Sequence, residues 1–260
     1  MAYEETKARS LVVQAGITLL EKKLIARTWG NISARISEDE FVITPSGRAY
    51  EELTPEDLVK VKIKDLSYEG DVKPSSEKGI HAAVYALHKE VDFVVHTHQK
   101  YATAVSVDGR RLPFAPCAEY GLPGTKTLRL NVQTRLENNR KKKAFLLSRH
   151  GALCFGSTPE EVFRTCEELE EKSRIAFFER VGEKPVKHAK RAYVDDFAQI
   201  AGAYVRDLSK VKTDDPEALR MIAEKNDLAA AYSLSGPMGL ADAALQHAVY
   251  QFKYSKLKNK

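Results

Sequence analysis

The chain has 260 residues, of which 43% are hydrophobic and 30% are charged, a composition typical of one globular core with an appendage. No run approaches about 18 consecutive apolar residues, and acidic residues precede the first apolar stretch, so we expect neither a membrane span nor a signal peptide. A net charge of +5, without a basic face interleaved with aromatics, argues against nucleic-acid binding, and three widely spaced cysteines argue against a disulfide framework, so the cytoplasm is the expected compartment.

The N-terminal part of the chain predicts one helix and several short strands. Apolar residues at helical spacing predict a helix over residues 5–24. Short apolar runs broken by turn residues predict strands over 32–36 and 41–44. A threonine cap, a proline and an acid at 54–57 predict a second helix start, and alternating apolar and basic residues at 59–63 predict a half-exposed strand.

The rest of the chain predicts longer helices and more deeply buried strands. Helical periodicity marks residues 75–88, and apolar runs predict buried strands over 91–98 and 144–148. A capping-box pattern opens a long helix that runs from Thr158 to near Gly182. Residues 182–185 are linker-like, and the sequence beyond them is helical in pattern to residue 260.

These elements predict an α/β fold with a mostly antiparallel central sheet flanked by helices. Helices and strands alternate without a regular period, which does not favour a Rossmann or barrel fold, and no glycine-rich nucleotide-binding motif occurs. We therefore predict a catalytic domain over residues 1–182 and a helical C-terminal extension over 183–260.

Three histidines follow or end apolar predicted strands. Side chains on a strand alternate between faces, so His96 and His98 point the same way, roughly 7 Å apart at Cα. His150 follows a second apolar strand and precedes a glycine, so it could bring a third imidazole to the same place. Surface exposure is the alternative for an isolated His-x-His pair. Three imidazoles with an open fourth position are a catalytic arrangement for zinc, which predicts a Lewis-acid centre for a small oxygenated substrate.

Glu77 lies at the start of a predicted helix, directly after two serines. Hydroxyls and backbone N–H groups at a helix N-terminus bind anions, and the carboxylate could ligate the metal or remove a proton. The alternative is an acid that only complements the helix dipole. His81, Tyr85 and His88 form one helical stripe and are expected to pack in the core or to support the site.

Five ordered motifs make residues 7–182 resemble the class II aldolase/adducin family, in particular zinc-dependent fuculose-1-phosphate aldolases and ribulose-5-phosphate 4-epimerases. The motifs are Trp29-Gly30-Asn31-Ile32-Ser33, Ile43-Thr44-Pro45-Ser46-Gly47, Pro74-Ser75-Ser76-Glu77 with His81, Val95-His96-Thr97-His98 followed by Tyr101-Ala102-Thr103-Ala104, and His150-Gly151-Ala152. The resemblance implies a single α/β domain and a homotetramer with active sites at subunit interfaces.

The resemblance also implies roles for individual residues. Zn²⁺ is expected on His96, His98 and His150, with Glu77 as a fourth ligand at rest and as the acid/base once substrate displaces it. Tyr120 is the candidate for a proton donor supplied by a neighbouring subunit, although its surroundings differ from those in the family. The substrate phosphate is expected at the positions Gly30, Asn31, Ser46, Gly47, Ser75 and Ser76.

The expected reaction is cleavage of a ketose 1-phosphate, such as fuculose 1-phosphate, to dihydroxyacetone phosphate and an aldehyde. Epimerisation of a pentulose phosphate and dehydration of a sugar phosphate are alternatives, although the epimerases resemble Ser-Ser-Asp where this chain has Glu77. A non-catalytic scaffold like the adducin head is a further alternative, but such heads lack the metal histidines. Lys78-Gly79 and the loop 113–125 depart from the family pattern, which leaves the sugar open.

Overall fold

A seven-stranded sheet forms the centre of the computed structural model, which describes residues 2–25, 29–106, 112–121 and 123–181. Across the sheet the strands follow the order β3-β2-β1-β4-β7-β6-β5, and all neighbours pair antiparallel except β5 and β6, which are parallel. The predicted mostly antiparallel sheet is therefore confirmed. In chain order the strands are β1 (Asn31–Arg35), β2 (Glu40–Ile43), β3 (Val59–Lys62), β4 (Phe93–Thr97), β5 (Cys117–Ala118), β6 (Ala144–Leu147) and β7 (Gly151–Gly156).

Helices flank this sheet, as predicted. They are α1 (Glu5–Glu21), α2 (Lys78–Leu87), α3 (Lys100–Ser106), α4 (Lys126–Glu137) and α5 (Pro159–Val181). The predicted helix start at Thr54 yields only a 3-10 turn over Pro55–Asp57. Its capping box closes, since the Asp57 carboxylate accepts from the Thr54 N–H at 3.0 Å, but the backbone returns to an extended conformation at Leu58.

Four elements lie where no helix or strand was predicted, namely α3, α4, β5 and β7. The sequence of α4 does contain a pattern that indicates a helix. The Thr125 side chain caps its N-terminus by accepting from the Leu128 N–H at 3.3 Å, and Leu128, Val132 and Leu136 are buried at four-residue spacing. β7 is a short apolar run beside a glycine, a pattern that does not separate strand from buried loop.

An apolar cluster lies between one face of the sheet and the helices α2 and α4. It includes Val94 of β4, Ile80 and Val84 of α2, and Leu128 of α4. Because side chains alternate along a strand, His96 shares the face of Val94, so the face of β4 that carries His96 is the face that α2 covers.

The three cysteines, Cys117, Cys154 and Cys166, are buried free thiols. Within the described ranges no helix combines the length and the apolarity that crossing a bilayer requires. The predicted helical extension, residues 183–260, lies outside the described residues, so the boundary after residue 182 stays a prediction.

Candidate metal centre

Four potential metal ligands converge at the end of β4. His96 lies in β4 and His98 follows it, while His150 ends the turn between β6 and β7. β7 pairs with β4 in antiparallel register, with Ala152 opposite Thr97. This pairing places His150, which immediately precedes β7, close to His96 and His98. Glu77 immediately precedes α2, and one ligand atom from each of the four residues lies within 4.8 Å of all the others.

The ligand atoms are close enough to share one ion. Nε2 of His96 is 3.0 Å from Nε2 of His98 and 3.1 Å from Oε2 of Glu77. Nε2 of His150 is 3.2 Å from Oε1 of the same carboxylate. The imidazole rings meet edge to face, with centroids 4.7 to 5.1 Å apart.

The hydrogen bonding of His96 leaves a lone pair for the cluster. Its Nδ1 lies 2.8 Å from the carbonyl oxygen of Ala152, which can only accept, so Nδ1 carries the proton and donates. In the neutral ring Nε2 is then unprotonated and faces the other ligands. A hydrogen bond from the second ring nitrogen is the usual way in which proteins orient a metal-binding imidazole.

Burial and charge oppose each other at the carboxylate. Burial alone would raise the pKa of Glu77, but the nearby His96 and His150 hold it well below its ordinary value. Burial would lower the pKa of His96, yet the Glu77 carboxylate and the Ala152 carbonyl raise it. Glu77 is therefore an anion among imidazoles, so the cluster attracts a positive charge.

The donor set fits a divalent transition metal. A tetrahedral ion with bonds of about 2.1 Å has ligand–ligand separations of roughly 3.4 Å, close to the distances between these donor atoms. Imidazole nitrogens and a carboxylate oxygen are ligands that Zn²⁺ and its neighbours in the first transition series accept. Buried lone pairs at such short range repel one another unless a proton or a metal ion lies between them.

Two glycines let the backbone approach the ligands. A Cβ on Gly151 would lie 2.4 Å from the carbonyl oxygen of Thr97, and one on Gly30 would lie 2.6 Å from that of His96. Gly30 also has a φ of +83°, which L side chains rarely adopt. Both glycines therefore have a packing role beside the cluster.

The predicted phosphate positions lie on adjoining segments next to Glu77. A bridge joins Pro45 to Pro74, the Ser46 N–H donates to Lys73 at 2.9 Å, and the Ser75 N–H donates to Thr44 at 3.0 Å. These bonds hold the two loops together, and they occupy the backbone donors of Ser46 and Ser75.

Asn31 and Tyr120, the other two predicted site residues, have their side chains in contact with residues beside the histidine cluster. The Asn31 amide is engaged on both sides, since Nδ2 donates to Oε2 of Glu77 at 3.1 Å and Oδ1 lies 2.5 Å from Nε2 of His81. The Tyr120 ring lies 6.0 Å from the Arg149 guanidinium carbon, beside the residue that precedes His150.

A partly buried glutamate on α5 holds the segment that follows His98, and the sequence analysis missed it. Glu170 accepts from the N–H groups of Tyr101 and Ala102 at 2.9 and 3.0 Å, at the start of α3. The Gln99 amide donates to the Cys166 carbonyl at 3.0 Å and accepts from Thr97 at 2.9 Å. An acid among the polar residues of a long amphipathic helix carries no sequence signal for this role.

Replacing Glu170 with alanine should destabilise the protein by about 1–3 kcal/mol, because two backbone N–H groups at the start of α3 lose their acceptor. Metal affinity should fall as well, since the segment adjoining His98 loosens. Urea unfolding and competition with a chelator measure the two effects. Glu168→Ala is the matched control, because Glu168 is an exposed acid on the same helix, and its carboxylate accepts from the Lys172 ammonium at 3.4 Å. Equal effects of the two substitutions would refute the anchoring role.

Comparison with known proteins places these residues in one family. The model of the "Class II Aldolase and Adducin N-terminal domain" matches residues 10–177. The 5-deoxy-D-ribulose 1-phosphate aldolase of Bacillus thuringiensis is 33% identical over 183 residues, covering 66% of this chain and 84% of that protein. The 3-oxo-tetronate 4-phosphate decarboxylase of Pectobacterium atrosepticum is 28% identical over 76% of this chain and 94% of its own length.

Two further similarities complete the comparison. The L-ribulose-5-phosphate 4-epimerase of Salmonella paratyphi B is 30% identical, covering 67% of this chain and 86% of that enzyme. A solved structure of L-fuculose 1-phosphate aldolase superposes with a TM-score of 0.63 at 29% identity, covering 69% of this chain and 89% of that one. Similar proteins thus catalyse aldol cleavage, epimerisation and decarboxylation.

Proposed function

This chain belongs to the class II aldolase and adducin N-terminal domain family, and we propose that it is a metal-dependent aldolase that cleaves a ketose 1-phosphate to dihydroxyacetone phosphate and an aldehyde. The observation that carries the proposal is the buried cluster of three imidazoles and the Glu77 carboxylate. A scaffold without catalysis has no need of such a cluster, whose closely packed lone pairs oppose folding without a bound cation.

We assign one Zn²⁺ per subunit to His96, His98, His150 and Glu77. When bound, the ion supplies Lewis-acid stabilisation of the negative charge that develops on the carbonyl and neighbouring hydroxyl oxygens of the substrate. The backbone carbonyl of Ala152 holds the His96 imidazole in place, and the carboxylate is the ligand that substrate would displace.

Glu77 moves the proton at carbon. In the direction of synthesis its carboxylate removes a proton from the carbon next to the carbonyl of dihydroxyacetone phosphate, and in cleavage it returns that proton. Two features of the site suit it to this exchange. The carboxylate is ionised among the histidines, and the neutral Asn31 amide donates a hydrogen bond to it.

The remaining site assignments follow the family resemblance. The phosphate would be held where the loops of Ser46 and Gly47 meet those of Ser75 and Ser76, with Gly30 and the backbone of Asn31 completing the cradle. Tyr120 would act as a proton donor in the site of a neighbouring subunit within a homotetramer. We place the enzyme in the cytoplasm.

Aldol cleavage is favoured over the other reactions of similar proteins by the residue at position 77. By the family resemblance, the 4-epimerases have Ser-Ser-Asp there, whereas this chain has Ser-Ser-Glu. Among the relatives compared above, the one with the highest identity is named as an aldolase. Epimerisation and decarboxylation remain the competing activities, since proteins named for them are also similar.

A substrate panel tests the reaction. Ketose 1-phosphates should release dihydroxyacetone phosphate, whereas pentulose 5-phosphates should not epimerise and a 3-oxo-tetronate 4-phosphate should not lose carbon dioxide. Dihydroxyacetone phosphate alone should exchange its C3 proton in D₂O, a readout that does not depend on the aldehyde. Metal-stripped protein is the control, with activity restored by Zn²⁺. Neither exchange nor cleavage of any ketose 1-phosphate by the metal-loaded protein would rule out an aldolase.

A further inference from the structure

A buried chain of hydrogen bonds leads from α2 through β1 to Glu77. The hydroxyl groups of Tyr85 and Ser33 are 2.8 Å apart, and Ser33 Oγ lies 2.6 Å from Nδ1 of His81. On the other side of the ring, Nε2 of His81 contacts Oδ1 of Asn31 at 2.5 Å, and Nδ2 of Asn31 contacts Oε2 of Glu77 at 3.1 Å. Tyr85, His81 and Ser33 have no solvent exposure, and Asn31 has 3%.

The repeat of the helix matches that of the strand along this chain of contacts. Asn31 and Ser33 are two residues apart on one face of β1, a separation of roughly 6.7 Å along the strand. His81 and Tyr85 are four residues apart on α2, a separation of roughly 6 Å along the helix. Asn31 also lies directly opposite His96 in the register of β1 and β4. The network therefore sets α2, and Glu77 at its start, against the strand next to the ligands.

The ionised carboxylate determines the direction of each hydrogen bond. A carboxylate only accepts, so Asn31 turns its NH₂ group toward Glu77 and its carbonyl oxygen toward His81. That oxygen requires a proton on Nε2 of His81. Burial lowers the pKa of His81 to about 3, so the ring is neutral and its Nδ1 accepts from Ser33. Ser33 Oγ then accepts from the Tyr85 hydroxyl, whose pKa burial raises.

We infer that His81 is a positioning residue, which orients the Asn31 amide so that Asn31 holds the Glu77 carboxylate in place for proton transfer. The inference rests on the proposed role of Glu77, but not on which sugar the enzyme cleaves. It assigns the Asn31 side chain to the carboxylate, and only the Asn31 backbone is left for the phosphate.

Two amide substitutions at position 81 distinguish the contact made by Nε2 of the ring from the contact made by Nδ1. His81→Gln can place an NH₂ group where Nε2 lies and can still donate to Asn31. His81→Asn places its amide near Nδ1, which keeps a partner for Ser33 but leaves the Asn31 oxygen without a donor. Both remove the ring and should lower the melting temperature alike, so a purely structural role predicts equal loss of function.

The positioning role predicts unequal loss. His81→Asn should lower kcat by about 10–100-fold, the usual effect of removing a residue that supports a metal ligand, with little change in KM. His81→Gln should stay near the wild type. Asn31→Asp, which sets a second carboxylate against Glu77, should lose at least as much as His81→Asn. Tyr85→Phe should have little effect, since Ser33 can still donate to His81.

Chelator competition provides a readout independent of turnover. The affinity for Zn²⁺ should fall in His81→Asn and Asn31→Asp and should stay near that of the wild type in His81→Gln. The variants should therefore rank in the same order by metal affinity as by kcat. If the wild type cleaves no ketose phosphate, the proposed function fails and this order of metal affinities still tests the inference. Equal metal affinities and equal activities of His81→Gln and His81→Asn would overturn it.

Discussion

Replacement of His96 with alanine is expected to leave the purified protein without bound metal and to lower cleavage by more than about 100-fold, beyond the loss typical of residues that only support a ligand. His96 is wholly buried, and its Nε2 lies between His98 and Glu77. Its removal takes away one of three imidazoles and also one of the neighbours that lower the pKa of Glu77. Metal analysis after dialysis and the cleavage assay measure the two effects.

His88→Ala is the matched control for that substitution. His88 is also a buried histidine, but it contacts Glu90 at 3.0 Å and packs on the Phe155 ring, away from the cluster. This variant should lose stability while keeping one metal ion per chain. Wild-type protein with well under one metal ion per chain, unchanged by His96→Ala, would instead support the adducin-like scaffold.

The convergence of the histidines could be predicted because it follows from two short-range rules. Alternation along a strand puts His96 and His98 on one side, and a turn after an apolar strand puts His150 at a strand end. The pairing of β7 with β4, which brings His150 to the other two, could not be predicted. Strand pairing depends on contacts between segments far apart in the sequence, which local periodicity does not report.

The support of the site was predictable only in part, for a related reason. The helical stripe containing His81 and Tyr85 indicated a side facing the core, and the structure shows that β1 supplies its polar partners. Ser33 and Glu170 had no such signal, because a serine in a strand or an acid on an amphipathic helix is ordinarily solvated. Their structural role comes from the hydrogen bonds that they make with His81, Tyr85 and the start of α3, and these partners are brought to them by the tertiary packing.

Glu77→Gln is expected to separate metal binding from proton transfer. The amide keeps the size of the side chain and an oxygen that can accept from Asn31, and the three imidazoles remain, so the protein should still bind metal, with lower affinity. It has no basic oxygen, so both cleavage and the exchange of the C3 proton of dihydroxyacetone phosphate should fall by about 10²–10⁴-fold, the usual contribution of a positioned acid/base.

Two further substitutions show whether that loss belongs to the proton transfer. Glu77→Asp keeps the charge but withdraws it by one methylene, so it should hold metal better than Glu77→Gln while exchanging the proton slowly, since acid/base transfer requires hydrogen-bond reach. Glu170→Gln changes a different, partly buried glutamate, which accepts hydrogen bonds from backbone N–H groups of α3, and should leave exchange nearly intact. Exchange at the wild-type rate in Glu77→Gln with metal bound would mean that another group moves the proton, and the assignment of Glu77 as acid/base would then be wrong.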